Sequence, residues 1–186
     1  MTGDRSTRRE WLTTVGTAVA VGLAGCGATS DGSPAGEDDD SPTGQTATGT
    51  PVHASYETTR VRVETESGDL LGSVTAAIAD TPDLRYTGLS DTESLPEDRG
   101  MLFVYEEVSG HTYVMREMDF GLDIIYADEE GAITTIHHAP APGPNEDGDD
   151  QRYPGRGQYV LEVNNGWTTE RGVTAGDLLV IDGGTF

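Results

Sequence analysis

From residue 56 onward, the apolar residues of this chain fall in short runs separated by turn-forming residues, and this spacing restricts the segment to an all-β sandwich or barrel. Residues 56–65 alternate through Val61 and Val63, and residues 70–79 follow the turn Ser67-Gly68-Asp69. Residues 101–105, 111–115, 122–127, 133–138, 159–163 and 178–181 read as further strands from their β-branched and aromatic content. Asp128-Glu129-Glu130-Gly131 is a hairpin turn. Two short helices interrupt the pattern. Thr81-Pro82-Asp83 supplies a cap, a first-turn proline and an acid at the positive helix end, and Gly88 stops the helix. Residues 167–172 form the second, capped near Asn165.

Three segments are expected. Residues 1–25 have the charged start, short apolar run and small residues of a secretory signal. Thr7-Arg8-Arg9-Glu10-Trp11-Leu12 carries the paired arginines, Arg8 and Arg9, of a twin-arginine signal, which exports folded cargo. The apolar run that follows is only about half of the roughly 20 residues that span a bilayer. Leu23-Ala24-Gly25-Cys26 has the form of a lipobox, in which Cys26 takes a diacylglyceryl group. Cys26 is the only cysteine, so no intrachain disulfide competes for it. The competing reading is a plain secretory signal with a chance cysteine. Residues 26–55 are then a lipidated cysteine and a disordered acidic linker of Gly, Ser, Thr, Pro and Asp, with a mean reach of about 30 Å. Residues 56–186 make one β domain, long enough for its own core. The expected location is the outer face of the cell membrane, held there by the lipid on Cys26.

Charge narrows the partners. The chain has 33 acids against 11 bases, every base is arginine, and the formal net charge is -22. Loss of residues 1–25 leaves 31 acids and 8 arginines. Such a surface repels nucleic acid, so no nucleic-acid partner is expected. Acidity without lysine suits work at molar salt, where the screening length falls to about 3 Å. The rival is an acidic surface built for a cationic ligand, but the acids are spread along the chain.

Several pieces taken in order resemble one known family, the domain of unknown function 192 (DUF192) group of small secreted or envelope-associated proteins. They are Ala79-Asp80-Thr81-Pro82 with Gly88-Leu89, the run from Ser94-Leu95-Pro96-Glu97-Asp98 through Arg99-Gly100-Met101-Leu102-Phe103, and Tyr113-Val114-Met115-Arg116. Leu122-Asp123-Ile124-Ile125-Tyr126 and Tyr159-Val160-Leu161-Glu162-Val163 with Gly166-Trp167 complete the match, which covers about residues 61–181. The resemblance implies a compact β barrel or sandwich, related in outline to jelly rolls, with helices at its edges. It implies no established reaction. The chain departs from the family after Arg116, where Glu117 and Met118 replace an asparagine and a threonine.

No Gly-x-Ser-x-Gly elbow, phosphate loop, dinucleotide fingerprint or zinc-spaced Cys/His cluster occurs. No cofactor is expected. Arg116 and Asp123 flank a turn between two strands, where they either pair structurally or face a ligand; the ion pair is the favoured reading. Arg99 bonds to loop carbonyls or to an acid such as Asp98. His137 and His138 are neighbours on a strand, so they point to opposite faces and do not grip one metal together. The loop of residues 140–157 is long and acidic, and Asp147 and Asp149 supply oxygens of the kind calcium takes, without EF-hand spacing. His111, His137, Asp147 and Asp149 are therefore only weak metal candidates.

The reading that follows is a non-catalytic envelope module that binds a small ligand or a protein. Its ligand residues would be Arg99, Tyr113, Arg116, Asp123 and Trp167, with a pocket of Tyr113, Trp167 and Arg116 at the barrel end. One alternative is a metal-assisted hydrolase using Asp123 with His111 or His137, which requires those side chains to converge. The other is a structural or assembly protein of the envelope.

Overall fold

The alternating and apolar runs form strands in the computed structural model, which describes residues 55–90 and 92–183. Arg8, Arg9, Cys26 and the linker as far as residue 54 lie outside the described residues. In chain order the elements are β1 (Thr58–Glu64), β2 (Leu70–Ala79), α1 (Pro82–Thr87), β3 (Arg99–Val114), β4 (Leu122–Ala127), β5 (Ile133–Ala139), β6 (Arg152–Asn164), α2 (Trp167–Arg171) and β7 (Leu178–Ile181). A single 3-10 turn, Gly148–Asp150, precedes β6.

The strands make one sheet of seven in the order β5-β4-β6-β3-β2-β1-β7. All neighbours are antiparallel except β2 and β3. A parallel pair needs a crossover, and the chain uses α1 and the turns after it for that purpose. The sheet curls into a half-barrel until its two ends meet: Ala132 bridges Leu178, Ile133 N–H donates to Asp177 O and Leu179 N–H to Gly131 O, both at 2.8 Å. The first turn of β5 and β7 is thereby covered rather than left as a bare edge.

Both faces of the central strands are buried, which is why β4 and the start of β3 read as unbroken apolar runs. One face carries Val61, Val74, Leu102, Ile125, Leu161 and Val163, closed by Trp167 of α2. The other carries Met101, Phe103, Ile124, Tyr126 and Val160, with Leu89, Met115 and Met118 packed over it.

The sequence predicts separate strands at 101–105 and 111–115 and a loop over 140–157; the structure corrects both. A register shift between Val104 and Ser109 lets one strand, β3, continue through both runs, and β6 starts at Arg152. Pro154 sits on the half of β6 that pairs with β3 alone, so its missing N–H breaks no ladder on the other side. These outer halves of β3 and β6 form a ribbon that folds over the second face. Tyr126 Oη donates to Tyr153 O at 2.6 Å, and His137 Nε2 to Pro154 O at 2.8 Å.

Gly155 makes this close approach possible, since a Cβ there would stand 2.6 Å from the Tyr126 ring, whereas Gly110 on the same ribbon faces open space. Gly155→Ala is expected to lower stability by about 1–3 kcal/mol and Gly110→Ala by less than about 0.5, as read from chemical denaturation. Equal losses would contradict the folded-over ribbon.

Candidate functional site

Strand alternation sends Tyr159, Leu161 and Val163 to one face of β6 and Val160 and Glu162 to the other. Glu162 lies opposite Met101 of β3 and Ile124 of β4, in the middle of the second apolar layer. It is 4% exposed. Its carboxyl has no hydrogen-bond or ion-pair partner among the described residues. Burial alone pushes its pKa up to about 8, so it is mostly protonated at neutral pH.

Phenols surround it. Tyr105 and Tyr113 share a 3.0 Å hydroxyl contact, and the Tyr113 ring meets Phe103 and Tyr126 edge-on. Burial first, and the nearby Glu162 charge as a lesser cause, raise the pKa values of Tyr105, Tyr113 and Tyr126. The phenols thus stay protonated wherever Glu162 titrates.

Above this floor lies a cavity of about 280 Å³, walled by residues 85–90, by the outer half of β3, and by Arg116 and Met118. Helix α1 brings the rim into place. Thr81 Oγ1 accepts from Leu84 N–H, Pro82 opens the first turn, and Gly88, at φ 51, ends the helix. Arg85 donates from Nη1 to Asp80 O at 2.5 Å and Val104 O at 2.7 Å, and lies 4.8 Å over the Tyr105 ring. Arg116 donates from Nη2 to Tyr86 O at 2.5 Å and Ser90 Oγ at 3.3 Å, and lies 4.3 Å over the Tyr86 ring. His111 stacks on Tyr105 at 3.6 Å with Nε2 3.2 Å from Gly157 O; burial lowers its pKa, which keeps it neutral.

Of the residues singled out in the sequence, the cavity gathers Tyr113, Arg116 and His111. It does not gather the others. Asp123 shares its face with Ile125 and is fully buried on the far side of the sheet, against α2. There it accepts from His138 Nδ1 at 2.8 Å, Gly166 N–H at 3.1 Å, Thr168 N–H at 2.8 Å and Thr168 Oγ1 at 2.6 Å. The expected ion pair of Arg116 with Asp123 is therefore absent, because β4 alternation turns the two apart. The proposed meeting of Asp123 with His111 or His137 fails for the same reason: His138 takes that place, and His137 faces Tyr126 and Tyr153.

Trp167 belongs to the first core under Arg171, not to a pocket with Tyr113, and its indole N–H has no partner among the described residues. Helix α2 begins from Gly166, at φ 89, without a side-chain cap; Asn165 instead reaches toward Leu122 O and Ala139 O. Arg99 pairs with Asp98 at 2.7 Å, outside the cavity. Asp147 caps the 3-10 turn by accepting from Asp149 N–H. Among the described residues, no three His, Cys, Asp or Glu side chains stand together as a metal-binding group. Sequence reasoning passed over Glu162, although a lone acid inside Tyr159-Val160-Leu161-Glu162-Val163 was its visible signal.

A carboxyl whose pKa is raised in the folded state binds more protons folded than unfolded, so stability is greatest below its unfolded value of about 4.5 and falls toward pH 8. Glu162→Gln removes this term. Its stability relative to wild type should rise with pH from about 5 to 8; a difference constant across that range would contradict an unpaired, buried Glu162.

Residues 62–181 match the model of the DUF192 family, described as an uncharacterized ACR family. The fold is similar to that of a candidate transcription regulator from Sinorhizobium meliloti 1021, with a TM-score of 0.61 and 30% identity over 68% of this chain and 95% of that one. It is also similar to a protein of unknown function from Novosphingobium aromaticivorans DSM 12444, with a TM-score of 0.58 and 25% identity over 69% of this chain and 88% of that one. No curated protein matches the chain. On the family match and the shared half-barrel, the chain belongs to the DUF192 family.

Proposed function

We propose that this chain is a lipid-tethered, extracytoplasmic binding module that takes a small ligand into the cavity over Glu162. The observation that carries the reading is the carboxyl itself: a buried acid without a partner on the floor of a cleft is costly, and a ligand that supplies a hydrogen-bond donor offsets the cost. The twin arginines Arg8 and Arg9, the lipobox cysteine Cys26 and the linker give the module its export route and its anchor. An excess of 33 acids over 11 bases argues against carrying a nucleic-acid role over from the Sinorhizobium relative, and suits an environment of high salt.

Two measurements test the reading. Cys26→Ala is expected to move the protein from the membrane fraction to the medium; retention in the membrane contradicts the anchor. Native mass spectrometry of protein incubated with a small-molecule extract of its own cells is expected to give a one-to-one adduct that is lost in Arg116→Ala. A bare mass, or an adduct indifferent to Arg116, contradicts the cavity as the binding site.

A further inference from the structure

The cavity has a cationic rim and a carboxyl floor. Of the eight arginines among the described residues, Arg62, Arg99 and Arg171 meet carboxylates. Arg85 and Arg116 do not. Among the described residues neither has a carboxylate partner, and each uses a single terminal nitrogen for the protein: Nη1 of Arg85 and Nη2 of Arg116. The other nitrogens of both guanidinium groups keep donors to offer, in the planar arrangement that suits a carboxylate. Below them Glu162 is buried and unpaired.

We propose that the cavity recognises a small zwitterion, an amino acid or an amine-bearing acid of similar size, with its anionic group on Arg116 and Arg85 and its ammonium group on Glu162. The inference rests on the reading of this cavity as a ligand site and names the class of ligand. A volume of about 280 Å³ is at the low end for ligand pockets and suits a molecule of that size. A plain carboxylic acid would satisfy the rim and leave Glu162 unpaired in an apolar layer, which is the costlier omission. A plain amine would satisfy the floor and leave two half-exposed guanidinium groups to water.

The other groups that face the cavity do not change charge near neutral pH. Tyr105 and Tyr113 of β3 and Tyr126 of β4 remain phenols and His111 of β3 remains neutral, beside the guanidinium groups of Arg85 and Arg116. Glu162 is the group that responds. Pairing with an ammonium ionises it, and its proton passes to the solvent.

The test is calorimetry on the folded protein at neutral pH, in two buffers of different ionisation enthalpy. The probes are α-, β- and γ-amino acids beside the carboxylic acid and the amine of each carbon skeleton. At least one amino acid is expected to bind about tenfold or more tightly than its matched acid or amine, with release of up to about one proton. Glu162→Gln should abolish the proton release and weaken that amino acid about tenfold while leaving its matched acid unchanged. Arg116→Gln, a rim variant that leaves the buried layer intact, should weaken both. Equal binding of amino acid and matched acid, indifference to Glu162→Gln, or no heat from any probe overturns the proposal. A matched acid that binds as tightly as its amino acid and depends on Arg116 overturns the zwitterion and leaves the cavity as a ligand site. A bare mass in the native spectrum removes the cavity itself.

Discussion

Strand β6 runs between β3 and β4 with an apolar layer on each of its faces, and every residue from Tyr159 to Val163 is buried. A charge on such a strand has no exposed side to turn toward. It must find partners inside, become neutral, or wait for a ligand. Glu162 has become neutral, and the space above it is where the chain leaves room. Helix α1, the folded-over ribbon and the two rim arginines are all placed by the same sheet, so the cavity is a consequence of how β3 and β6 outgrow their neighbours.

Asp123 shows the other outcome of the same constraint. It lies on β4, also buried on both faces, yet it is saturated: His138 and the amide groups that open α2 all donate to it. A carboxyl group with such donors is satisfied in the interior and fixes α2 over the first core. Two acids on adjacent strands thus differ in role because they leave the sheet on opposite faces. One is cross-linked to its surroundings. The other is available.

Much of the fold was legible in the sequence because its signals are local. The boundaries of β2, β4 and β7, the Thr81 cap, the Gly88 stop and the turn at Asp128 to Gly131 all follow from neighbouring residues. What could not be read depends on distant pairing. The runs on either side of Val104 and Ser109 become one strand because β6 pairs with both, and Pro154 is tolerated because β4 does not reach it. Around the cavity, Tyr113 and Arg116 of one short run stand together, while Trp167 and Asp123, grouped with them in the sequence reading, lie on the opposite side of the sheet. Facing is set by strand parity across several elements, and one acid in an apolar run gives no sign of which side will hold the donors.

The account turns on Glu162 being buried without a partner. A carbon-13 NMR titration of its side-chain carboxyl in the folded, ligand-free protein tests this directly. The account predicts a midpoint near 8, where the carboxyl of an exposed glutamate titrates near 4.5. A midpoint in that ordinary range would mean that water or a hydrogen-bond donor already serves the carboxyl, and would contradict the unpaired floor on which the binding site depends.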